Sequence, residues 1–194
     1  MSGSYDNSVK VWAMGAGASW PCERTLVGHD GRAFPVNTLA TWQGKVLSGS
    51  ADKSVRVWDM ETGAHDATLT GHDGSVWGLV VHGDRLLSAS DDGTIREWAL
   101  EARAALRTVE AYEGKGFPYC LAVSGSKLIS GSATQGGAVE AERFEVRVWD
   151  LGTLECEHTL QQPVGSEVYC LAAGPGQVTV YGGVGVEVVV WGRA

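Results

Sequence analysis

Residues 71–98 read GHDGSVWGLVVHGDRLLSASDDGTIREW, and residues 28–59 follow the same plan, GHD-x16-LSGSADKSVRVWD. Each stretch opens on Gly-His-Asp, passes through short apolar segments, and closes on a β-branched run that ends in Trp. Alternation of apolar and polar residues over a few positions is typical of a half-buried β-strand. The two stretches therefore predict a repeated unit of short strands.

The repeat extends along the whole 194-residue chain. Similar strands end at Trp12, Trp58, Trp98, Trp149 and Trp191, which lie 46, 40, 51 and 42 residues apart. The 27 glycines are about twice the usual share, as a chain with many tight turns requires. The segment 99–106 has high helix propensity, but it falls where the repeat places a turn. We expect the repeat register to prevail there.

This pattern strongly resembles the WD40 repeat family of β-propellers. The resemblance rests on residues 28–59 and 71–98, on the period and on the repeated Gly-His and Trp-Asp landmarks. It covers essentially the whole chain. It implies an all-β propeller segment of about four to five four-stranded antiparallel blades. The single array then divides into a partial blade (1–28), two repeats (29–71 and 72–111), a degenerate repeat with an insertion (112–162) and a degenerate incomplete repeat (163–194).

We expect the array to be an incomplete ring. A typical ring of the family has seven blades and needs roughly 280–315 residues at this period. The chain opens in the middle of a repeat, with Ser2, Asp6 and Trp12, and stops just after Trp191. The hypothesis is a fragment of a longer propeller. The alternatives are a small unusual ring or an open arc completed by a partner, and open blade edges also favour self-association.

The resemblance further implies a structural network in each blade, in which Asp bonds His, His bonds Ser, and Ser bonds the Trp indole. Two such tetrads are predicted: His29, Ser48, Asp52 and Trp58, and His72, Ser88, Asp92 and Trp98. The same residue types form the triad of serine hydrolases. A catalytic triad is needed once, whereas this set recurs in register. The hydrolase is therefore the weaker alternative, and no catalytic residue is assigned.

The later repeats depart from the tetrad. The third full repeat has Tyr112 at the His position and no Asp at its turn, although it keeps Ser130 and Trp149. In the last repeat, Pro163, Val180 and Gly185 stand where His, Ser and Asp are expected. We predict that neither repeat forms the tetrad and that both blades are softer than the two before them.

A rim for partner binding is also implied by the resemblance, at the entrance to the propeller channel. The predicted rim residues are Tyr5, Asn37, Trp77, Asp91, Tyr119 and Tyr169. Tyr and Trp are frequent anchors in protein interfaces. The alternative is that these side chains only plug the channel. An insertion within residues 133–145 is expected on the same face, either as a recognition loop or as a functionless excursion.

Charge and cysteine usage exclude other classes. The net charge of −8 opposes binding to a nucleic-acid backbone, and RNA stacking on the aromatic rim is a disfavoured third hypothesis. No signal peptide or bilayer-spanning stretch is present in the sequence, so no membrane partner is expected. Four scattered cysteines without a CxxC pair predict no zinc or other metal, and free buried thiols in a reducing compartment, the cytoplasm or nucleus.

These observations predict a non-enzymatic scaffold that binds a protein or peptide partner on the loop face of the propeller. No cofactor and no small-molecule substrate are expected. A more specific alternative is the substrate-recognition segment of a larger ubiquitin ligase or signalling protein.

Overall fold

The computed structural model describes residues 1–13, 20–29, 34–112, 116–133, 145–161, 168–174, 177–182 and 189–192. These residues form eighteen β-strands in five antiparallel sheets. In every sheet, strands that are consecutive in the chain are hydrogen-bonded neighbours. Most of the insertion predicted within 133–145, and the positions of Pro163 and Gly185, lie outside the described residues.

Three sheets are complete four-stranded meanders. Sheet two holds β4 (Val36–Trp42), β5 (Lys45–Ser50), β6 (Val55–Asp59) and β7 (His65–Leu69). Sheet three holds β8 (Val76–His82), β9 (Arg85–Ser90), β10 (Thr94–Ala99) and β11 (Ala104–Glu110). Sheet four holds β12 (Phe117–Ser124), β13 (Lys127–Ala133), β14 (Glu145–Asp150) and β15 (Cys156–Gln161).

The first and last sheets show three strands each. Sheet one holds β1 (Ser2–Gly3), β2 (Ser8–Trp12) and β3 (Cys22–Val27). Sheet five holds β16 (Val168–Gly174), β17 (Gln177–Gly182) and β18 (Val189–Gly192). The inner strands β4, β8, β12 and β16 lie side by side in chain order, and β1 lies against β4. The sheets are therefore arranged as successive blades.

Each blade has two ends, and they differ in their turns. The inner strand begins at what we call the rim end, where the turn between the second and third strands also lies. The far end holds the turn between the first two strands and the turn between the last two. In the first three sheets, the rim-end turn carries an Asp that accepts hydrogen bonds from the Ser or Thr two residues later: Asp6 from Ser8, Asp52 from Ser54, and Asp92 from Thr94. The residue between each pair has a positive φ angle: Asn7, Lys53 and Gly93.

The repeat register prevails over local helix propensity in the segment 99–106. Strand β10 ends at Ala99, a turn follows, and β11 begins at Ala104. The prediction of a turn at this place is confirmed. The pairing of Trp98 with Ala105 and of Glu97 with Arg107 supplies backbone hydrogen bonds to which a short isolated helix would have no access.

The apolar core lies between neighbouring sheets. Trp58 of sheet two packs with Val9, Val11 and Leu26 of sheet one. Trp98 of sheet three packs with a cluster that includes Leu47 of sheet two. In the same way Trp149 of sheet four packs in a cluster that includes residues of sheet three. These three tryptophans therefore join their own blades to the preceding ones.

The cysteine thiols correct one expectation. Cys22 and Cys156 are free but exposed, because they lie near the start of the outer strands β3 and β15, each opposite the Trp of the neighbouring strand. Cys120, on an inner strand, is a partly buried thiol that donates to Val168 O. The prediction of buried thiols is thus wrong for two of these three residues. No helix in the described part of the chain is long and apolar enough to span a membrane.

Candidate interaction rim and its supporting networks

A hydrogen-bonded chain of four side chains runs through sheet two. His29 Nδ1 lies 2.8 Å from Asp52 Oδ2, and its Nε2 lies 2.7 Å from Ser48 Oγ. The indole of Trp58 donates to the same Ser48 oxygen at 2.8 Å. An ionised carboxylate only accepts, so Nδ1 carries the proton toward Asp52. In a neutral imidazole, Nε2 then accepts from the Ser48 hydroxyl, and every polar group in the chain has a partner.

Sheet three repeats this geometry. His72 Nδ1 lies 2.7 Å from Asp92 Oδ2, and its Nε2 lies 2.7 Å from Ser88 Oγ. Trp98 Nε1 donates to Ser88 Oγ at 2.8 Å. Asp92 also accepts from the backbone N–H of Asp73, at 2.9 Å. The structure therefore brings together all four members of both predicted tetrads.

The glycine before each histidine is required by a side chain packed against it, the Trp58 ring for Gly28 and the Arg96 guanidinium for Gly71. A Cβ atom on Gly28 would lie 2.7 Å from the Trp58 ring. One on Gly71 would lie 2.9 Å from the Arg96 guanidinium, and Gly71 also has a φ angle of +145°. These contacts explain physically why the motif reads Gly-His, because a larger residue would displace the groups that hold the network.

Electrostatics favour the ionised form of both aspartates. Burial acts to raise the pKa of Asp52, but hydrogen bonds from His29 and Ser54 outweigh it and lower the pKa to about 2. Burial also opposes ionisation of Asp92, whose pKa is lowered by hydrogen bonds from His72 and Thr94. Both networks thus end on a carboxylate that stays charged at neutral pH.

The same geometry bears on the hydrolase alternative. Asp–His–Ser order and contact distances are those a hydrolase needs. However, the hydroxyls of Ser48 and Ser88 lie in fully buried residues, and each already accepts an indole hydrogen bond. A nucleophile must reach its substrate, and these oxygens cannot do so in this conformation.

In sheet four the network is again centred on a serine, Ser130, but the side chain that replaces histidine is Tyr112. Tyr112, fully buried, places its hydroxyl 2.8 Å from Ser130 Oγ and donates to Ser130 O at 3.0 Å. Trp149 Nε1 donates to Ser130 Oγ at 3.0 Å. The guanidinium of Arg147 covers the Tyr112 ring at 4.9 Å and donates to Ala111 O. Burial raises the pKa of Tyr112, so its hydroxyl stays protonated.

Tyr112 thus takes over the contact of the missing histidine with the serine, a role that the sequence analysis missed. The available signal was its register, fourteen residues after the preceding Trp, as His72 is. In sheet one, Trp12 Nε1 donates to Ser2 Oγ at 3.1 Å, which is the Ser–Trp contact of the tetrads. The side chains that would form the corresponding network in the last repeat lie outside the described residues.

Four of the predicted rim residues share one backbone position. Asn37, Trp77, Tyr119 and Tyr169 are each the residue skipped in the pairing between the first and second strands of their sheet. Such a residue forms a β-bulge, which redirects its side chain and locally ends the regular ladder. The same β-bulge therefore lies near the start of each of the four inner strands. The side chain of Tyr169 is outside the described residues.

Two of these side chains form an aromatic platform. The rings of Trp77 and Tyr119 are stacked, with centroids 5.0 Å apart and an interplanar angle of 24°. Trp77 Nε1 donates to Asp91 Oδ2 at 3.3 Å, and buried Phe117 lies against Tyr119 at 6.2 Å. Trp77, Tyr119 and Asp91 are all partly exposed. Phe117 was missed in the sequence, where the signal was a second aromatic residue two positions before Tyr119.

The remaining rim residues lie in different surroundings. Asn37 Nδ2 donates to Val76 O at 3.0 Å and so joins sheet two to the strand that carries Trp77. Tyr5, in the rim-end turn of sheet one, is 87% exposed. In the described part of the chain, no hydrogen bond or ring contact joins Tyr5 to the Trp77–Tyr119 platform. The structure thus brings together Asn37, Trp77, Asp91 and Tyr119, and leaves Tyr5 apart.

Comparison with known proteins supports this architecture. The family described as "WD domain, G-beta repeat" matches residues 20–59 and 63–99. No curated protein matches the sequence. The crystal structure of the computationally designed Ika8 protein is 28% identical, with a TM-score of 0.74 over 98% of this chain and 54% of that chain. This chain therefore spans about half the length of Ika8.

Two further solved structures are similar. The crystal structure of the computationally designed Ika4 protein is 26% identical, with a TM-score of 0.69 over 88% of this chain and 99% of that chain. A chain in the crystal structure of a mitotic checkpoint complex is 20% identical, with a TM-score of 0.79 over 99% of this chain and 58% of that one. That likeness concerns the fold alone. The predicted all-β propeller segment is confirmed, and residues 20–59 and 63–99 match the repeat of the WD40 family.

Proposed function

We propose that this chain is a non-enzymatic scaffold that binds a protein or peptide partner on its rim end. The observation that carries the proposal is the stacked Trp77–Tyr119 platform, which is partly exposed at two equivalent bulges. WD40 propellers generally act as protein-interaction scaffolds. Large aromatic residues held rigidly are efficient anchors, because they contribute contact area and lose little conformational entropy on binding.

The chemistry of the platform favours one kind of contact. Asp91 accepts from the edge of Trp77, so a carboxylate lies beside the aromatic faces. An extended peptide that stacks an aliphatic or cationic side chain on these faces fits both features. The net charge of −8 also favours such a partner over a nucleic acid. The exposed free thiols at Cys22 and Cys156 support an origin in the cytoplasm or nucleus.

The test is a comparison of aromatic variants of the folded protein. Immobilised wild type, the Trp77→Ala/Tyr119→Ala variant and a Trp20→Ala control would be exposed to the same cell extract, and the captured proteins quantified by mass spectrometry. Trp20 is 58% exposed, precedes the outer strand β3 and lies away from the platform. Circular dichroism checks that all three are folded.

We expect the platform variant to lose at least tenfold in capture of the partners that wild type and Trp20→Ala both enrich. Equal capture by all three folded proteins would contradict the rim proposal. It would favour the alternative that Trp77 and Tyr119 only fill the channel entrance. Purified partners identified in this way then allow the affinity for each variant to be measured by calorimetry.

A further inference from the structure

A cleft opens between sheets three and four at the far end, away from the rim. Its volume is about 360 Å³, and it is lined by His82, Arg85, Leu87, Glu97, Ser126, Leu151 and Gly152. The walls come from the turn β8–β9 on one side and from the turns β12–β13 and β14–β15 on the other. A space of this size accommodates a side chain of a bound peptide.

The equivalent cleft between sheets two and three shows why this one is more open. There the indole of Trp42 and the amide of Gln43 both donate to Asp84 across the sheet boundary, at 3.2 and 2.9 Å. That cleft measures about 250 Å³. By strand register, the residues that correspond to Trp42 and Gln43 are His82 and Gly83, which are smaller. Gly152 likewise replaces Glu101, which lines the narrower cleft.

The wall of the open cleft holds a buried carboxylate between two arginines. Glu97 stands where sheets two and four have Val57 and Val148, and its side chain is 2% exposed. It accepts from Arg85 Nη1 at 2.7 Å and from Arg107 Nε at 2.6 Å. Burial acts to raise the pKa of Glu97, but the hydrogen bonds from Arg107 and Arg85 outweigh it and lower the pKa. Glu97 is therefore an anion shared by two cations.

Glu97 neutralises only one of the two arginine charges at this wall, so a net positive charge remains. In the other complete sheets, the base at the corresponding position pairs with an Asp of the next turn: Lys45 with Asp59 at 3.1 Å, and Lys127 with Asp150 at 3.2 Å. Arg85 has Ala99 at that place and turns to Glu97 instead. The Arg85 side chain remains 53% exposed.

Arg107 is fixed beside the same cleft. Its Nη1 donates to Gly152 O at 2.7 Å, so the guanidinium joins Glu97 of sheet three to the turn of sheet four. Its Nη2 is buried and has no hydrogen-bond partner among the described residues. Arg107 therefore holds Glu97 in place and adds positive potential to the cleft wall.

We propose that this cleft binds the carboxylate of an acidic peptide side chain. The exposed donors of Arg85 that do not reach Glu97 face an incoming carboxylate, and charge-assisted hydrogen bonds of this kind are among the strongest in proteins. Leu87 and Leu151 provide an apolar floor for the methylene groups of a Glu side chain. The site is separate from the rim, and it does not depend on the proposed function of the rim.

The first experiment titrates the intact protein with N-acetyl-glutamate amide and follows the arginine Nε–Hε signals by NMR. We expect a saturable shift of the Arg85 signal at millimolar concentrations. N-acetyl-glutamine amide, which has the same shape without the charge, should shift it at least tenfold less. Equal shifts from the two probes, or no saturable shift from either, would overturn the proposal.

Two substitutions locate the binding. Arg85→Gln should lower the affinity at least tenfold, as followed by the Arg107 signal, while Glu97 keeps its bond to Arg107. The matched control is Arg103→Gln, which removes a similarly exposed arginine that pairs with Asp66 in the neighbouring cleft. Loss of binding in the control, or its retention in Arg85→Gln, would place the probe elsewhere and overturn the assignment.

A third variant tests occupancy without removing any arginine. Gly152→Glu supplies a carboxylate from the chain itself, at the position where the neighbouring turn already carries Glu101. It should abolish the glutamate-dependent shift, whereas Gly152→Gln should reduce it less. Inorganic phosphate serves as the competing anion. If phosphate binds at least tenfold more tightly than N-acetyl-glutamate amide, the site is an anion site for phosphate and the carboxylate assignment is wrong.

Discussion

Sheets three and four each hold a buried hydrogen-bonded network centred on a serine, and the two networks differ in the side chains that bond to it. In sheet three, Ser88 lies between His72 and Trp98, and the chain of hydrogen bonds ends on the carboxylate of Asp92. In sheet four, Ser130 occupies the same place between Tyr112 and Trp149, but no carboxylate follows among the described residues. The serine and the tryptophan are common to both. The partner on the other side is the part that the fold allows to vary.

The difference follows from the number of polar atoms that the variable side chain must pair with a partner. A histidine has two ring nitrogens to satisfy, so it needs an acceptor behind it as well as the serine. A tyrosine has one hydroxyl, which Ser130 satisfies through both its side chain and its backbone oxygen. Its ring is covered by the Arg147 guanidinium, and no such contact lies in the described part of sheet three. The Asp at the turn is therefore dispensable once Tyr replaces His.

The largest effect should come from removing the shared serine. Ser88→Ala leaves His72 Nε2 and Trp98 Nε1 buried without partners, and we expect the free energy of unfolding to fall by about 3 kcal/mol. Ser130→Ala leaves Trp149 unpaired, but Tyr112 keeps the backbone oxygen of Ser130, and about 1.5 kcal/mol is expected. Urea unfolding followed by tryptophan fluorescence measures both.

The exposed Thr70→Ala variant is the control for loss of a hydroxyl, and its free energy of unfolding should stay within about 0.5 kcal/mol of wild type. Equal losses in Ser88→Ala and Ser130→Ala would mean that the two networks contribute equally to the free energy of unfolding. That result would contradict the expected difference between the sheets.

Much of this comparison could be predicted from the sequence, because a repeat supplies its own internal standard. The strand-ending tryptophans mark every repeat, and the Gly-His pairs and the Ser–Trp spacing of ten residues fix the register of sheets two and three. The positions of Trp77 and Tyr119 at the rim follow from that register, since both fall on the bulge of their inner strand. Periodicity specifies which residues share a place in the fold.

Contacts between non-equivalent positions could not be predicted in this way. Tyr112 breaks the repeat pattern, so its register alone did not reveal that the hydroxyl would reach Ser130. The Glu97 site depends on Arg107 from the next strand and Gly152 from the next sheet. The exposure of Cys22 and Cys156 depends on which face of an outer strand meets solvent. These features need the distances between side chains, which spacing does not provide.

Replacement of the variable partner should separate the two sheets further. His72→Phe leaves Ser88 without its acceptor and removes one of the hydrogen bonds to the Asp92 carboxylate, so a loss of about 2 kcal/mol is expected. Tyr112→Phe keeps the ring under Arg147 and removes only the hydroxyl, so about 1 kcal/mol is expected. Thermal unfolding at pH 7 measures which of the two variants loses more stability. A greater loss in Tyr112→Phe would reverse the comparison.

Acid should weaken the tetrads and spare the tyrosine network. The folded pKa of Asp52 is about 2, below its ordinary value of 3.8, so its contribution is fully present above pH 4 and is lost as the pH falls toward 2. The shift corresponds to about 2 kcal/mol. Asp52→Asn should therefore be less stable than wild type by about this amount at pH 7, and the difference should shrink toward zero near pH 2.

Urea unfolding of both proteins at pH 7, 4, 3 and 2 measures that difference. Ser130→Ala acts on a network that holds no carboxylate in the part of sheet four that the structure describes, and its loss relative to wild type should stay constant over the same range. A difference between wild type and Asp52→Asn that does not change with pH would contradict the assigned role of the Asp52 charge.

The smallest effect tests the contact that replaces the aspartate. Arg147 covers the Tyr112 ring, donates to Ala111 O and pairs with Glu145, so Arg147→Leu removes a cation–π contact, a hydrogen bond to the backbone and an ion pair. We expect a loss of about 1 kcal/mol in the free energy of unfolding. In the Tyr112→Leu background the cation–π part of that loss disappears, and a double-mutant cycle isolates it as a coupling of about 0.5 kcal/mol. Zero coupling would mean that the ring and the guanidinium are merely adjacent, so that sheet four holds its tyrosine by the Ser130 hydrogen bonds and apolar packing alone.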